Sequence, residues 1–449
     1  MASGMAFLPS KHTATESCTL LQPAMRPFVP AIEGLRCVLT VWVMSFHYYA
    51  FFPRTPESST SGLLEWAANL VTTPGAFFVV DFFFIISGFV AQFSSGPPLA
   101  TPSEWARYVA LKASRLAPQY LASLLFGTII TVLVANHQHI PVSANLRPVA
   151  TVLSWFALHD WWVGDKNFLY QGNGGLWFVS ALLGCFAIFA LTGHRMVHSL
   201  MRTPYGAAAL ALFFSLGRAL LRAWPSYWCM YWPPSCAVGF LAGVATARLL
   251  QQLLPSMQHH TGEGGGWAGD GFSLPSLPRS CNTWWWAVAD VPCFLVLALS
   301  FSPFFSFMWA PGMPFAHGFP PPNFLQPVCC VVLFLAGCPT QGIVLRCLSH
   351  RAFVALSPLA YGAYCWHLPM KSFLCDLLEL PPERTFTLVV FFTLSWLASA
   401  LVLHGIEGPW NSTVGRWLRA SGRGVQEHAT TSGLSASKEA AAPSAASSC

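Results

Sequence analysis

The chain has 449 residues, of which only 9% are charged and 54% are hydrophobic, with 19 Trp and 36 Phe. That is too little charge to cover a soluble surface, so a soluble globular protein is excluded in favour of one that lives in lipid. The net charge of +6 is scattered along the chain rather than clustered, which points to membrane orientation and not to a nucleic-acid partner.

The first thirty residues lack the basic start, apolar core and cleavage site of a secretory signal, so the first span is expected to act as the insertion signal. A bilayer core takes about 20 apolar residues per helix. Ten stretches fit: 31–52, 73–94, 116–135, 175–194, 204–223, 232–252, 284–305, 323–342, 352–377 and 385–405. The expected fold is therefore all-α and polytopic, with about ten transmembrane helices. The stretch 146–162, with Trp155, Trp161 and Trp162, is shorter and aromatic, and reads as an interfacial or re-entrant helix. Placing both termini in the cytosol gathers Arg36, Arg107, Lys112, Arg115, Arg346, Arg351 and most other basic residues on that side. Arg54, Arg147, Lys166, Arg218, Arg222, Lys371 and Arg384 then fall on the other, in keeping with the positive-inside rule.

Three segments read as disordered by composition: residues 1–28, the Gly-rich loop "HHTGEGGGWAGDG" and the Ser/Ala-rich tail 419–449. The 14 cysteines lie mostly in apolar runs such as "CCVVLFLAGC", as small packing residues rather than a disulfide framework. No metal site is expected, because His137, His139, His259 and His260 stand in loops without partner ligands.

The first span, "EGLRCVLTVWVMSFHYYAFF", holds Arg36 near its start and His47 deep inside. Eleven residues on a helix come to about 20° beyond three turns and about 16 Å of rise, so the two share one face. Either residue alone reads as a snorkelling arginine or a core histidine. Aligned on one face, they mark a pathway or a site. His47 suits a general base near neutral pH, and Arg36 suits a phosphate at the cytosolic mouth. A phosphorylated carrier whose long arm ends near the histidine would use both. Acyl-coenzyme A (acyl-CoA) has that form.

The same stretch resembles the first helix of the membrane-bound acyltransferase family 3, in which a basic residue is followed by ten residues and then His. Further segments resemble the family's motifs in order: "VDFFFIISGF" (Val80–Phe89), "KASRLAPQY" (Lys112–Tyr120), "LWFVSALLGCF" (Leu176–Phe186), "LAYGAYCWHLP" (Leu359–Pro369) and "IEGPW" (Ile406–Trp410). The resemblance spans residues 29–418. It implies an integral membrane O-acyltransferase that moves an acyl group, most simply acetyl from acetyl-CoA, to a hydroxyl of a glycan, glycolipid or other small acceptor. His47 would be the base, and an acyl-histidine intermediate is a variant of the same chemistry. One departure stands out: Leu182 occupies a position where family members commonly carry Glu.

Other residues have two readings each. Arg36, Lys112 and Arg115, with Arg107 in support, are either donor-phosphate contacts or topology anchors. Asp81 either orients His47 or holds a helix contact. Trp177, Ser180, His367 and Glu407 touch substrate or serve the structure, and pairing with Arg416 or a basic residue at the cytosolic mouth is the structural reading of Glu407. No metal is implied. The rival class is a transporter using the intramembrane His and Arg as a proton or substrate site.

Overall fold

The computed structural model describes residues 29–50, 75–94, 101–161, 172–223, 229, 231–253, 290–293, 326–338, 342–382, 384–414 and 416. The two tails, the Gly-rich loop, Trp162 and nearly all of the expected span 284–305 lie outside the described residues. Among the described residues there is helix and no strand. Five of the described helices are long and apolar enough to cross a membrane: Pro102–His137, Gly174–Gly193, Pro204–Arg222, Pro233–Leu253 and Thr385–Val414. The protein is an all-α, multi-pass integral membrane protein.

The helices that matter here are α1 (Pro30–Ala50), α2 (Gly75–Ser94), α3 (Pro102–His137), α4 (Pro148–Trp155), α5 (Trp177–Ile188), α6 (Pro204–Ala223), α7 (Pro233–Leu253), α8 (Gln326–Gly337), α9 (Arg351–Lys371) and α10 (Thr385–Val402). The stretch 146–162 supplies only the eight-residue α4, a turn and a short 3-10 turn at His159–Trp161, too little to span a bilayer. Helix α3 begins fourteen residues before the expected 116 and has 36 residues. Its start is fixed by a capping box: the Glu104 amide donates to Thr101 Oγ1 (3.3 Å) and the Thr101 amide to the Glu104 carboxylate (2.9 Å). The extension carries Arg107, Lys112 and Arg115 on helix rather than loop.

Two groups of helices form the core. In one, α7 packs along α2, α6, α5 and α8; in the other, α9 packs along α1, α3 and α10. The α2–α7 seam is a backbone-to-backbone contact. A Cβ on Gly88 would lie 1.8 Å from the Phe240 carbonyl, and one on Gly243 1.8 Å from the Ile85 carbonyl. Only hydrogen fits there, which is how small residues let lipid-embedded helices approach. In the second group buried Gln119 ties three helices, donating to the Ser399 carbonyl (3.0 Å) and accepting from Trp366 Nε1 (3.2 Å).

Helices α1, α3 and α9 run parallel. Glu33 meets Ser357 and His47 meets His367, so α1 and α9 advance together. Leu116 meets Tyr361, and Gly127 lies against Pro369, so α3 advances with them. One end of this group therefore carries Arg36 and Arg115, and the other carries the two histidines.

Arg218 and Arg222 correct an expectation. The sequence counted them with the basic residues of the far side, near the end of the expected span 204–223. Instead both are fully buried on α6 and grip Asp81 of α2. A guanidinium within an apolar helix stays there only when a carboxylate and further acceptors satisfy its donors, so neither reports orientation.

Candidate active site

His47 stands in the last turn of α1, and His367 one turn before the end of α9. Their rings stack with centroids 4.9 Å apart, and His367 Nε2 lies 2.8 Å from His47 Nδ1. The other ring nitrogen of His367, Nδ1, bonds the Tyr364 backbone carbonyl. A carbonyl can only accept, so His367 Nδ1 carries the proton. In a neutral ring Nε2 is then an acceptor, and His47 Nδ1 must donate to it. The lone pair of neutral His47 falls on Nε2. A backbone carbonyl on α9 thus sets the tautomer of His47 through a second histidine, as a carboxylate does in the serine-hydrolase arrangement.

The pair is firmly seated. His367 is fully buried, while His47 is half-buried. The Tyr364 ring lies 5.3 Å from His367, and the Tyr364 hydroxyl donates to the Gly175 carbonyl at 2.8 Å. Gly175 itself presses on His367: a Cβ there would stand 3.2 Å from the imidazole Cε1. Asn173, just before it, donates to the Cys365 carbonyl at 2.8 Å. Tyr48 anchors the end of α1 by donating to the Pro382 carbonyl at 2.7 Å. Lys371, one turn beyond His367, is near enough to act electrostatically on both rings. Sequence reasoning passed over Tyr364, Asn173 and Lys371; the spacing of Lys371 from His367, four residues on one helix face, was the available signal.

The other expected residues separate into groups. Arg36 is 34% exposed and pairs with Glu33 at 3.1 Å, and Glu33 also accepts from Ser357 of α9. Both Glu33 and His47 therefore meet α9, as one helical face requires. Arg107 and Arg115 are exposed at the start of α3. Lys112 does not share their exposure. Its ammonium lies 5.2 Å from the ring centroids of Tyr108 and Phe186, because aromatic faces attract a cation and the stem packs on apolar surface.

Asp81 does not orient His47. Its oxygens accept from Arg218 (2.8 and 3.1 Å), Arg222 (2.7 and 3.0 Å) and Gln326 (2.9 Å). Those bonds fill a carboxylate and hold α2, α6 and α8 together, the helix-contact reading. Trp177 packs edge-on against Tyr231 at 4.6 Å, and buried Ser180 donates to the Ala157 carbonyl at 2.6 Å. Glu407 accepts from Asn411 at 3.5 Å, whereas Arg416 Nε donates to the Ser412 carbonyl, and no Glu407–Arg416 pair is present among the described residues. Leu182 is buried among apolar neighbours. Among the described residues no group of three or more His, Cys, Asp or Glu could hold a metal ion.

The chain is 20% identical over 443 residues to the peptidoglycan O-acetyltransferase OatA of Listeria monocytogenes serovar 1/2a, covering 88% of this chain and 61% of that protein. It thus spans about three fifths of that relative's length. No solved structure matches. Residues 29–404 match the Acyl_transf_3 family, described as an acyltransferase domain, a match that takes in both histidines and both helix groups. The chain belongs to the Acyl_transf_3 acyltransferase family.

Proposed function

We propose that the protein is an integral membrane O-acyltransferase that moves an acyl group, most simply acetyl, from cytosolic acyl-CoA to a hydroxyl of a carbohydrate or another small acceptor. The observation that carries this reading is the carbonyl–His367–His47 chain at one end of α1 and α9. It leaves a basic Nε2 on a half-buried histidine about 16 Å along the helix from Arg36. The kinship with an O-acetyltransferase supports the reaction class.

In this account Nε2 of His47 takes the proton of the acceptor hydroxyl as its oxygen attacks the thioester carbonyl. The C–S bond breaks, and the thiolate leaves with the proton that His47 holds. While His47 is an imidazolium, its Nδ1–H donates to His367 Nε2, which keeps the ring aligned and shares the charge. At the other end Arg36, Arg115 and Arg107 offer guanidiniums to the donor phosphates. Lys112, held over two rings, adds positive charge just inside the mouth. In this reading both termini are cytosolic and the bundle has ten spans.

The test is acyl transfer by purified full-length protein in nanodiscs given acyl-CoA radiolabelled in the acyl group, with membrane glycolipids and soluble sugars as acceptors. Label moving covalently into an acceptor, with one CoA released per acyl moved, is the expected result. Movement of an unmodified solute across the bilayer without CoA release would make the protein a transporter.

A further inference from the structure

Among the described residues one buried acid has neither a role in the mechanism nor a hydrogen bond. Asp160 is fully buried in the short turn His159–Trp161, and neither of its carboxylate oxygens has a hydrogen-bond partner among the described residues. Its neighbour His159 is 1% exposed, and His159 Nδ1 likewise lacks one. Burying such groups unmet costs several kcal/mol, so a fold that keeps three orphan polar atoms together holds them for something.

The turn is built to put them there. Ala157 adopts a left-handed backbone (φ 54°), a conformation that costs a non-glycine residue free energy. Ser180 of α5 secures it by donating to the Ala157 carbonyl at 2.6 Å. Gly184, one turn further along α5, lies against both Pro233 and Trp161: a Cβ there would come within 2.5 Å of the proline ring and 3.0 Å of the indole. The chain thus turns inward and carries His159 and Asp160 into the protein instead of leaving them at the interface.

Where the turn leads is given by its neighbours. The Ser154 carbonyl just before the turn accepts from Tyr120 of α3 at 2.5 Å, and Ser180, which holds Ala157, stands five residues along from Gly175, which accepts from Tyr364 and presses on His367. Tyr364 is also the residue whose ring packs on His367 and whose carbonyl sets the tautomer of the histidine pair.

We infer that Asp160, with His159, forms the acceptor-binding end of the active site and takes hydrogen bonds from the hydroxyls of a polyhydroxylated, sugar-like acceptor. This rests on the acyltransferase reading. The two oxygens of the Asp160 carboxyl meet neighbouring hydroxyls of one ring, and Nδ1 of His159 donates to or accepts from a third, according to its tautomer. The orphan atoms are thereby met only when the acceptor is bound. Ser180 and Ala157 are positioning residues, acting through the turn.

The experiment uses full-length protein in nanodiscs, acetyl-CoA as donor and methyl β-D-glucoside as acceptor probe. Wild type is expected to release CoA faster as the glucoside saturates. Asp160→Asn is expected to need about tenfold more glucoside for half-saturation, the size of one lost hydrogen bond, with KM for acetyl-CoA and melting temperature unchanged. Half-saturation equal to wild type overturns the inference. So does a fall in melting temperature with acceptor and donor affected alike, which would make Asp160 a structural counter-charge only. A second readout needs no variant and no turnover: mass spectrometry of wild-type protein treated with a hydrophobic carbodiimide. An adduct on Asp160 that the glucoside suppresses, beside an unmodified Asp81, supports the site; no adduct, or one that the glucoside leaves unchanged, overturns it. Should wild type release no CoA, the acyltransferase reading fails on that result, and the labelling still decides the pocket.

Discussion

Replacing His367 with Phe separates its role in the chemistry from its role in packing. The phenyl ring fills a similar volume, so the contacts with His47 and Tyr364, at centroid distances of 4.9 and 5.3 Å, can persist. What disappears is the Nε2 acceptor 2.8 Å from His47 Nδ1. His47 then gains nothing by keeping its proton on Nδ1, and the tautomer with a basic Nε2 loses its support. Leaving a buried donor without its acceptor costs about 1–3 kcal/mol. At 1.4 kcal/mol per factor of ten that is about 5- to 150-fold in kcat. The KM for acyl-CoA should not move, since Arg36 lies about 16 Å away along α1. His367→Gln keeps an amide oxygen able to accept from His47 and should recover part of the loss. The assay is single-turnover transfer from radiolabelled acetyl-CoA at saturating donor. Phe at the wild-type rate, or Gln no better than Phe, would refute the tautomer argument.

Other expectations follow from the same geometry. Asp81→Asn leaves two buried guanidiniums facing a neutral amide and should destabilise the protein by about 3–5 kcal/mol, seen as a lower melting temperature in detergent; an unchanged melting temperature would show that the cluster holds nothing together. Gly243→Ala must push α2 from α7, because its Cβ would stand 1.8 Å from the Ile85 carbonyl. Overpacking of this kind costs about 1–3 kcal/mol, so wild-type thermal stability would contradict the seam. Arg115→Ala should raise the apparent KM for acyl-CoA more than it lowers kcat, as loss of uniform binding does; an unchanged KM would leave Arg115 a topology anchor.

Helix periodicity made α1 legible before any coordinates. Composition gave the membrane class, and the eleven-residue spacing put Arg36 and His47 on one face; in the fold His47 meets α9 directly, and Arg36 pairs with Glu33, which does. What periodicity cannot give is the partner across a helix interface. Asp81 looked available to His47 only because nothing in its own segment could satisfy it, while its partners were 137 to 245 residues away on α6 and α8. Arg218 and Arg222 read as far-side orientation charges for the same reason. The pairing of His47 with His367 is likewise tertiary, although each histidine stood out as a lone ionisable group in an apolar run. The early start of α3 was readable: "TPSE" is a capping box, and it lay upstream of the apolar stretch taken to define the span. Asp160 carried no signal at all, because a single acid among aromatics in a short stretch gains meaning only from the inward turn that Ser180 and Gly184 impose.

The central claim is that His47 takes the acceptor's proton, and the most direct measurement is kcat for acyl transfer by His47→Ala at saturating acyl-CoA and acceptor, in protein shown to be inserted and to melt as wild type does. Loss of a positioned general base predicts a fall of about 10²–10⁴ with donor binding retained. Transfer at the wild-type rate would contradict the account.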